Sequence, residues 1–362
     1  MYQAICEINL DNVEAFTRGC AILGTGGGGS IEPSLLATRA AIGSHGPVPV
    51  VSLDSLDDDT IVLPLGGIGA PTVSNEMLGS VDTVSRLRAE VERTIGRPVG
   101  AIMASEIGGS NGVYPVGWAA RLGLPLVDAD AMGRAFPEVQ MVSMNVAGVP
   151  ATFSVLADVI GNVTVVRPVD GRWSERLARA VSVAGGADAV MADYVLEASA
   201  FRGAVIDGTL SSAVAIGRAT SGAADPVRAL AEVLDARRII TGKITDIERR
   251  TAGGFVRGSV VIEGAGIDRG RLTRVEIQNE NLVVLEEGQV RASVPDLISL
   301  VDSTTAMAIS TETLRYGQRV TVLAWPCDPL WRTQRGLEIA GPSAFGYDLT
   351  YVPVELIGAL HV

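Results

Sequence analysis

Acid–base chemistry in this sequence falls on carboxylates, because the chain holds only two histidines, His45 and His361. His45 lies in a Gly-Ser-His-Gly-Pro turn and His361 is next to last; neither has the context of a triad member or a zinc ligand. A carboxylate can replace histidine as a base when its environment moves its pKa toward neutrality. Three acids stand at the carboxyl ends of expected parallel strands, where α/β proteins place their ligands. Glu106 ends one strand, just before Ile107-Gly108-Gly109-Ser110-Asn111-Gly112, and Asp128 and Asp130 end the next. Alternate residues of a strand share a face, so the two aspartates are expected to point together. Asp130 also reads as a helix N-cap before Ala131-Met132. Asn111 carries an amide able to donate to a substrate carbonyl. The expected catalytic set is Glu106, Asp128, Asp130 and Asn111.

Nucleophilic chemistry has weaker support. Of Cys6, Cys20 and Cys327, Cys20 occupies an apolar helix position and reads as core, whereas Cys327 lies in the loop Trp325-Pro326-Cys327-Asp328-Pro329 and is the better candidate. No CxxC pair exists to hold zinc. Asp and Glu can hold a divalent ion without any spacing signature, so metal content is left open and no cofactor is required by the sequence.

Glycines supply the third chemical feature. Gly24, Gly26 and Gly29 satisfy GxGxxG, but the dinucleotide fingerprint must follow a strand and the residues before Gly24 are helical in pattern. No Lys-Ser or Lys-Thr follows, which excludes a phosphate-binding Walker sequence. Three permissive segments remain, Gly26 to Gly29, Gly66 to Gly69 and Gly108 to Gly112. Consecutive glycine N–H groups near a helix start can hold a carboxylate or a developing oxyanion. Gly26, Gly27, Gly28, Gly29, Gly67 and Gly109 are the expected substrate-binding positions.

The elements that position these groups follow from periodicity. Val13, Phe16, Cys20 and Leu23 define one helix face, and Ser30 with Pro33 restarts a helix after the glycines. Val48 to Leu53, Ile61 to Leu65, Val99 to Ser105 and Leu124 to Val127 read as strands separated by helices, the pattern of a parallel sheet with crossovers. Phe153 to Ala157 and Val163 to Val166 flank a Gly161-Asn162 hairpin turn. Helices follow at Ser174 to Val183 and, capped by Asp225, at Pro226 to Ala236; from Ile239 onward short strands predominate. The expectation is an α/β N-terminal domain with a largely parallel sheet, residues 1–167, and a β-rich, barrel-like C-terminal domain with a few helices, residues 168–362. Gln278-Asn279-Glu280-Asn281 joins two of its strands, and Pro342 to Asp348 forms another polar turn; each reads either as turn chemistry or as part of the site.

Composition sets the outer bounds. With 362 residues, 47% of them hydrophobic, the chain can bury two cores. A net charge of −12, with scattered bases, disfavours nucleic acid as partner. Few cysteines, no signal-like N-terminus and no long charge-free apolar stretch suggest a cytoplasmic protein without a membrane span, and small enzymes of this kind are often homo-oligomers.

Taken together, several segments resemble the S-methyl thiohydantoin desulfurase family, a hydantoinase-like group of bacterial proteins: ILGTGGGG at 22–29, GGIGAPTV at 66–73, EIGGSNG at 106–112, LPLVDADAMGRAFPEVQM at 124–141, QNENL at 278–282, PDLISLVD at 295–302 and GPSAFGYD at 341–348. The resemblance spans nearly the whole chain. It implies an α/β domain followed by a barrel-like one, and hydrolysis of a five-membered cyclic ureide or its thio analogue. Fitted to that chemistry, Glu106 or Asp128 would be the general base, the glycine loops would hold an oxyanion or carboxylate, and Asn111 would orient the substrate. A different expectation is a non-catalytic sensor or regulatory subunit that binds a small acid in the same pocket.

Overall fold

The structure is a computed structural model that describes residues 2–69, 80, 82–252 and 255–357. His361 and residues 70–73 of the GGIGAPTV segment lie outside them. Short β1 (Glu7–Ile8) leads into helix α1 (Val13–Leu23), and a glycine segment separates it from α2 (Ile31–His45). Strands β2 (Val48–Val51) and β3 (Ile61–Gly69), helix α3 (Thr83–Ile95), strand β4 (Val99–Ala104), helix α4 (Ser110–Leu122) and strand β5 (Leu126–Asp130) follow. Strands β2, β5, β4 and β3 lie side by side and parallel, as the alternation of strand and helix requires.

The same sheet then continues antiparallel. β6 (Ser154–Asp158) and β7 (Val163–Val166) form the expected hairpin; helix α5 (Gly171–Ala184) precedes β8 (Asp188–Ala192), which inserts between β3 and β6. Short β9 (Leu196–Glu197) and β10 (Ile206–Asp207) pair with β3 and β5. Helices α6 (Thr209–Thr220) and α7 (Pro226–Leu234) close this part, α6 packing on α1. Residues up to Leu234 thus still belong to the first sheet and its helices, which is therefore mixed and not wholly parallel. Asp225 caps α7 by accepting from the Arg228 N–H, with Pro226 in the first turn, as its sequence indicates.

The second sheet begins at Arg237. Its strands are β11 (Arg237–Ala252), β12 (Phe255–Gly264), β13 (Leu272–Gln278), β14 (Glu280–Glu286), β15 (Gln289–Ser293), β16 (Leu297–Asp302) and β17 (Arg319–Trp325), all antiparallel in the order β15-β14-β13-β12-β11-β17-β16. The sheet curls into a half-barrel. Its two ends approach closely enough for Asn281 Nδ2 on β14 to donate to Ile298 O on β16 at 3.0 Å. Ile240, Ile244, Val260, Ile262, Val275 and Val322 fill its interior. On its outer side Leu297, Leu323, Trp325 and Trp331 join the core of the first sheet, so the two parts share buried apolar surface. Trp331 is fully buried, donates Nε1–H to Met132 O at 2.8 Å and meets Phe136 edge-on. No helix among the described residues is long and apolar enough to cross a membrane.

One expected turn is instead regular structure. Gly66 to Gly69 extend β3, paired residue by residue with β8 from Leu65–Ala192 to Gly69–Asp188. The parallel partner β4 stops earlier, at the Leu65–Ala104 pair. Beyond that point this edge of β3 has no strand partner among the described residues, and the N–H of Gly67 is taken by a side chain of the site.

Candidate active site

A cavity of about 520 Å³ opens where the two sheets meet. Its walls come from the glycine segment before α2, the overhanging end of β3, the end of β4, the first turns of α4, strand β8, and two segments of the half-barrel at Asn279-Glu280 and Glu312.

Glu106 is the carboxyl on the cavity wall that stands at the end of a parallel strand. It lies between β4 and α4, 6% exposed, with Oε1 accepting from Asn111 Nδ2 and Oε2 from the Phe136 N–H at 3.2 Å. Asn111 in turn accepts the N–H of Gly67 through Oδ1 at 2.8 Å. The overhang of β3 therefore fixes the amide, and the amide fixes the carboxylate. Burial, reinforced by the neighbouring Asp130 charge, raises the Glu106 pKa to about 8, against the opposing hydrogen bonds from Asn111 and Phe136 and the charge of Arg134.

The other expected acids stand elsewhere. Asp128 accepts the N–H groups of Leu210 and Ser211 at 2.9 and 3.0 Å and the Ser211 hydroxyl, so it anchors the first turn of α6. Asp130, fully buried, accepts from the N–H groups of Ile107, Met132 and Gly133, tying the β4–α4 turn to the segment after β5. Its pKa is pushed up to about 7 by burial, with those three N–H groups opposing. The two aspartates serve different turns, and neither lines the cavity. Asp130 acts there only through its field on Glu106.

The glycines divide in the same way. Gly27, Gly28, Gly29 and Gly67 line the cavity; Gly26 and Gly109 do not. Gly109 has φ +62°, and a Cβ on it would collide with the Gly28 backbone. Its N–H donates to Cys20 O at 2.7 Å, while Ser110 and Asn111 donate theirs to Gly29 O and Gly28 O. The loop before α4 is thus spliced to the loop before α2. The half-barrel grips the same loop: Asn281 donates both N–H and Nδ2 to Thr25 O, each at 2.8 Å, and Thr311 donates its N–H to Gly26 O at 2.8 Å. Part of the glycine segment is therefore a weld between the two parts. The N–H groups of Gly26, Gly28 and Gly29 have no acceptor among the described residues, and of these Gly28 and Gly29 line the cavity, where their N–H groups can meet a ligand.

Several groups of the cavity carry little signal in the sequence. Glu280, at the start of β14, is 2% exposed, and burial together with the Glu106 charge holds its pKa well above the usual carboxyl range, with Arg134 opposing. Asp193, just after β8, is raised to about 7 by burial. Arg134 is the buried counter-charge: its guanidinium donates to the carbonyls of Ala135, Pro295 and Asp296 and to Thr25 Oγ1, and stacks over Phe136. Tyr114 and Trp118, stacked at 5.6 Å on α4, form an aromatic wall. Segment 278–281 joins the site through Asn279 and Glu280, whereas segment 342–348 does not line it. Cys327 is also apart, 5% exposed, its thiol pushed up by burial and by Asp296. Among the described residues no three His, Cys, Asp or Glu side chains are grouped to hold a metal ion.

Comparison with known proteins agrees with this architecture. A crystal structure of a protein from Chromobacterium violaceum, a structural genomics target, superposes with a TM-score of 0.77 over 97% of this chain and 100% of that one, at 24% sequence identity. That likeness establishes the fold. No curated protein matches the sequence. Family models for the S-Me-THD-like N-terminal and C-terminal domains match residues 11–168 and 169–354. Together they span nearly the whole chain, which therefore belongs to the S-Me-THD-like family, related by name to S-methyl thiohydantoin.

Proposed function

We propose that the protein is a hydrolase that cleaves the exocyclic carbon–sulfur bond of an S-methyl thiohydantoin, giving the corresponding hydantoin and methanethiol. The observation that carries this reading is Glu106: a buried carboxyl on the cavity wall, oriented by Asn111 and the Phe136 N–H, with a pKa near the operating range of a general base.

In this reading Glu106 takes a proton from water as the water oxygen bonds to the ring carbon bearing sulfur. The free N–H groups of Gly28 and Gly29 offer donors to the polar groups that change charge at that carbon. Collapse of the tetrahedral centre expels methanethiolate, which leaves more readily than an amide nitrogen would. The volume of about 520 Å³ suits a small ring with a side chain. The Tyr114–Trp118 wall supplies a flat apolar surface for the ring.

The test is incubation of the purified protein with S-methyl thiohydantoin, 2-thiohydantoin and hydantoin, following methanethiol, sulfide and ring opening. Equimolar methanethiol and hydantoin from the first compound is expected. Saturable binding with no product from any of the three would replace the hydrolase by a sensor of such rings.

A further inference from the structure

Glu280 reaches the cavity from the half-barrel, on the hairpin between β13 and β14. The hairpin is rigid: Asn279 holds φ +58°, its carbonyl accepts the Thr311 hydroxyl, and Asn281 is bound to Thr25 O. The carboxyl sits against Gly27, where the missing side chain leaves it room. Its Oε2 is buried without a hydrogen-bond partner. A buried carboxylate oxygen without a donor is costly, and a buried polar atom left unpaired calls for a ligand or a catalytic role. The charged groups facing it are Glu106 from the end of β4, Arg134 from the segment after β5 and Glu312 from the segment before β17. The Arg134 nitrogens donate to Ala135, Pro295, Asp296 and Thr25 and not to Glu280.

We propose that Glu280 is the general acid of this site, giving its proton to the ring nitrogen next to the sulfur-bearing carbon while Glu106 deprotonates the attacking water. The inference rests on the reading of the site as a thiohydantoin hydrolase. The step balances. The ring C=N takes the Glu280 proton at nitrogen and the water oxygen at carbon, and Glu106 keeps the water proton. The new O–H then returns its proton to Glu280 as the C=O forms and the C–S bond breaks, with the electron pair leaving on sulfur. Glu106 protonates the methanethiolate, and both carboxyls are restored. Two carboxyls in one cavity thus take opposite roles: Glu106 accepts from Asn111 Nδ2 and the Phe136 N–H, which favour its charged form, whereas Glu280 Oε2 has no donor and burial beside Glu106 favours keeping its proton.

The test is the pH profile of kcat/KM for S-methyl thiohydantoin in wild type, Glu280→Gln and Glu280→Asp, with thermal melting to establish folding. Wild type should give a bell. Glu280→Gln should lose about 100-fold in kcat/KM together with the alkaline falling limb, and Glu280→Asp should recover part of both. A Glu280→Gln profile that keeps the falling limb and wild-type rate overturns the proposal. Infrared difference spectra with hydantoin as probe need no turnover. A protonated-carboxyl band at neutral pH, shifted by hydantoin and missing in Glu280→Gln, supports a Glu280 proton facing the ring even where wild type releases no methanethiol, a result that would remove the hydrolase reading alone. Absence of that band overturns the assignment of Glu280.

Discussion

The Glu280 carboxyl occupies the space that a side chain on Gly27 would need: a Cβ built there would overlap Oε1. The backbone of Gly27, unlike that of Gly26, Gly28 and Gly29, does not have a positive φ. Alanine is therefore excluded at position 27 by Glu280 and not by backbone strain. Gly27→Ala is expected to cost about 1–3 kcal/mol of stability as the carboxyl is displaced, and to reduce methanethiol release at least tenfold. Melting curves and turnover of the purified variant check both. Wild-type turnover in a folded Gly27→Ala would show that the placement of Glu280 has no chemical consequence.

Burial of Glu106 predicts a pH dependence of stability. Its pKa rises from an ordinary 4.5 to about 8 on folding, so the folded state binds the proton more tightly than the unfolded one. The stabilisation is complete below pH 4.5 and is lost as pH rises through about 8. The single group contributes a slope of up to about 1.4 kcal/mol per pH unit in that window. Denaturant melts of wild type and Glu106→Gln at intervals from pH 5 to 9 should show the variant gaining on wild type as pH rises, while its turnover falls by about 100-fold or more. Parallel stability curves would mean that Glu106 is not buried as described.

Asp128 separates structure from chemistry. It accepts two N–H groups and a hydroxyl at the start of α6, so Asp128→Ala should lower stability by about 0.5–2 kcal/mol, as loss of a helix cap does. Turnover per folded molecule should stay within a factor of about three. A large fall in kcat with unchanged melting would return Asp128 to the catalytic set.

These contrasts locate what the sequence could convey. Strand and helix positions were legible because hydrophobic period reports one-dimensional geometry: Val84, Leu87 and Val91 lie buried on α3 as their spacing requires. Glu106 was legible because a strand end followed by glycines is a local pattern. The mate of a carboxylate is a three-dimensional property. The alternation that should turn Asp128 and Asp130 together is satisfied on the strand, yet each side chain is consumed by a different backbone turn, from α6 for one and from the β4–α4 turn for the other. Gly66 to Gly69 read as a turn because glycine usually ends a strand, and they stay extended because β8, more than 100 residues later, pairs with them. Glu280 sits in a tetrapeptide that reads equally as a hairpin turn; only the approach of the glycine segment, held by Asn281 and Thr311, makes it part of a cavity.

Thiol chemistry should play no part in turnover. Cys20 and Cys327 are buried, and burial raises both thiols, whereas Cys6 is exposed. Iodoacetamide at neutral pH should modify Cys6 alone, as read by mass spectrometry of the native protein, and leave methanethiol release unchanged. Cys327→Ser should be active when folded. Inactivation that tracks labelling of Cys327 would restore a cysteine nucleophile.

Asn111 gives the most direct test of how Glu106 is tuned. Its Nδ2 donates to the Glu106 carboxylate while its Oδ1 is held by Gly67, so the amide cannot flip without losing both bonds. A donor to the charged form lowers a carboxyl pKa, and removing it must raise the pKa. A hydrogen bond to a charged group is worth about 1.5–3 kcal/mol, and one pH unit corresponds to about 1.4 kcal/mol. Asn111→Ala should therefore move the rising limb of the kcat/KM profile alkaline by about one to two units. Asn111→Asp should move it in the same direction, since it exchanges a donor for a second negative charge. The size of the shift separates tuning from mere positioning: a variant slowed equally at every pH would show that Asn111 places the carboxylate without setting its pKa, and an unmoved limb at full rate would remove Glu106 as the titrating base.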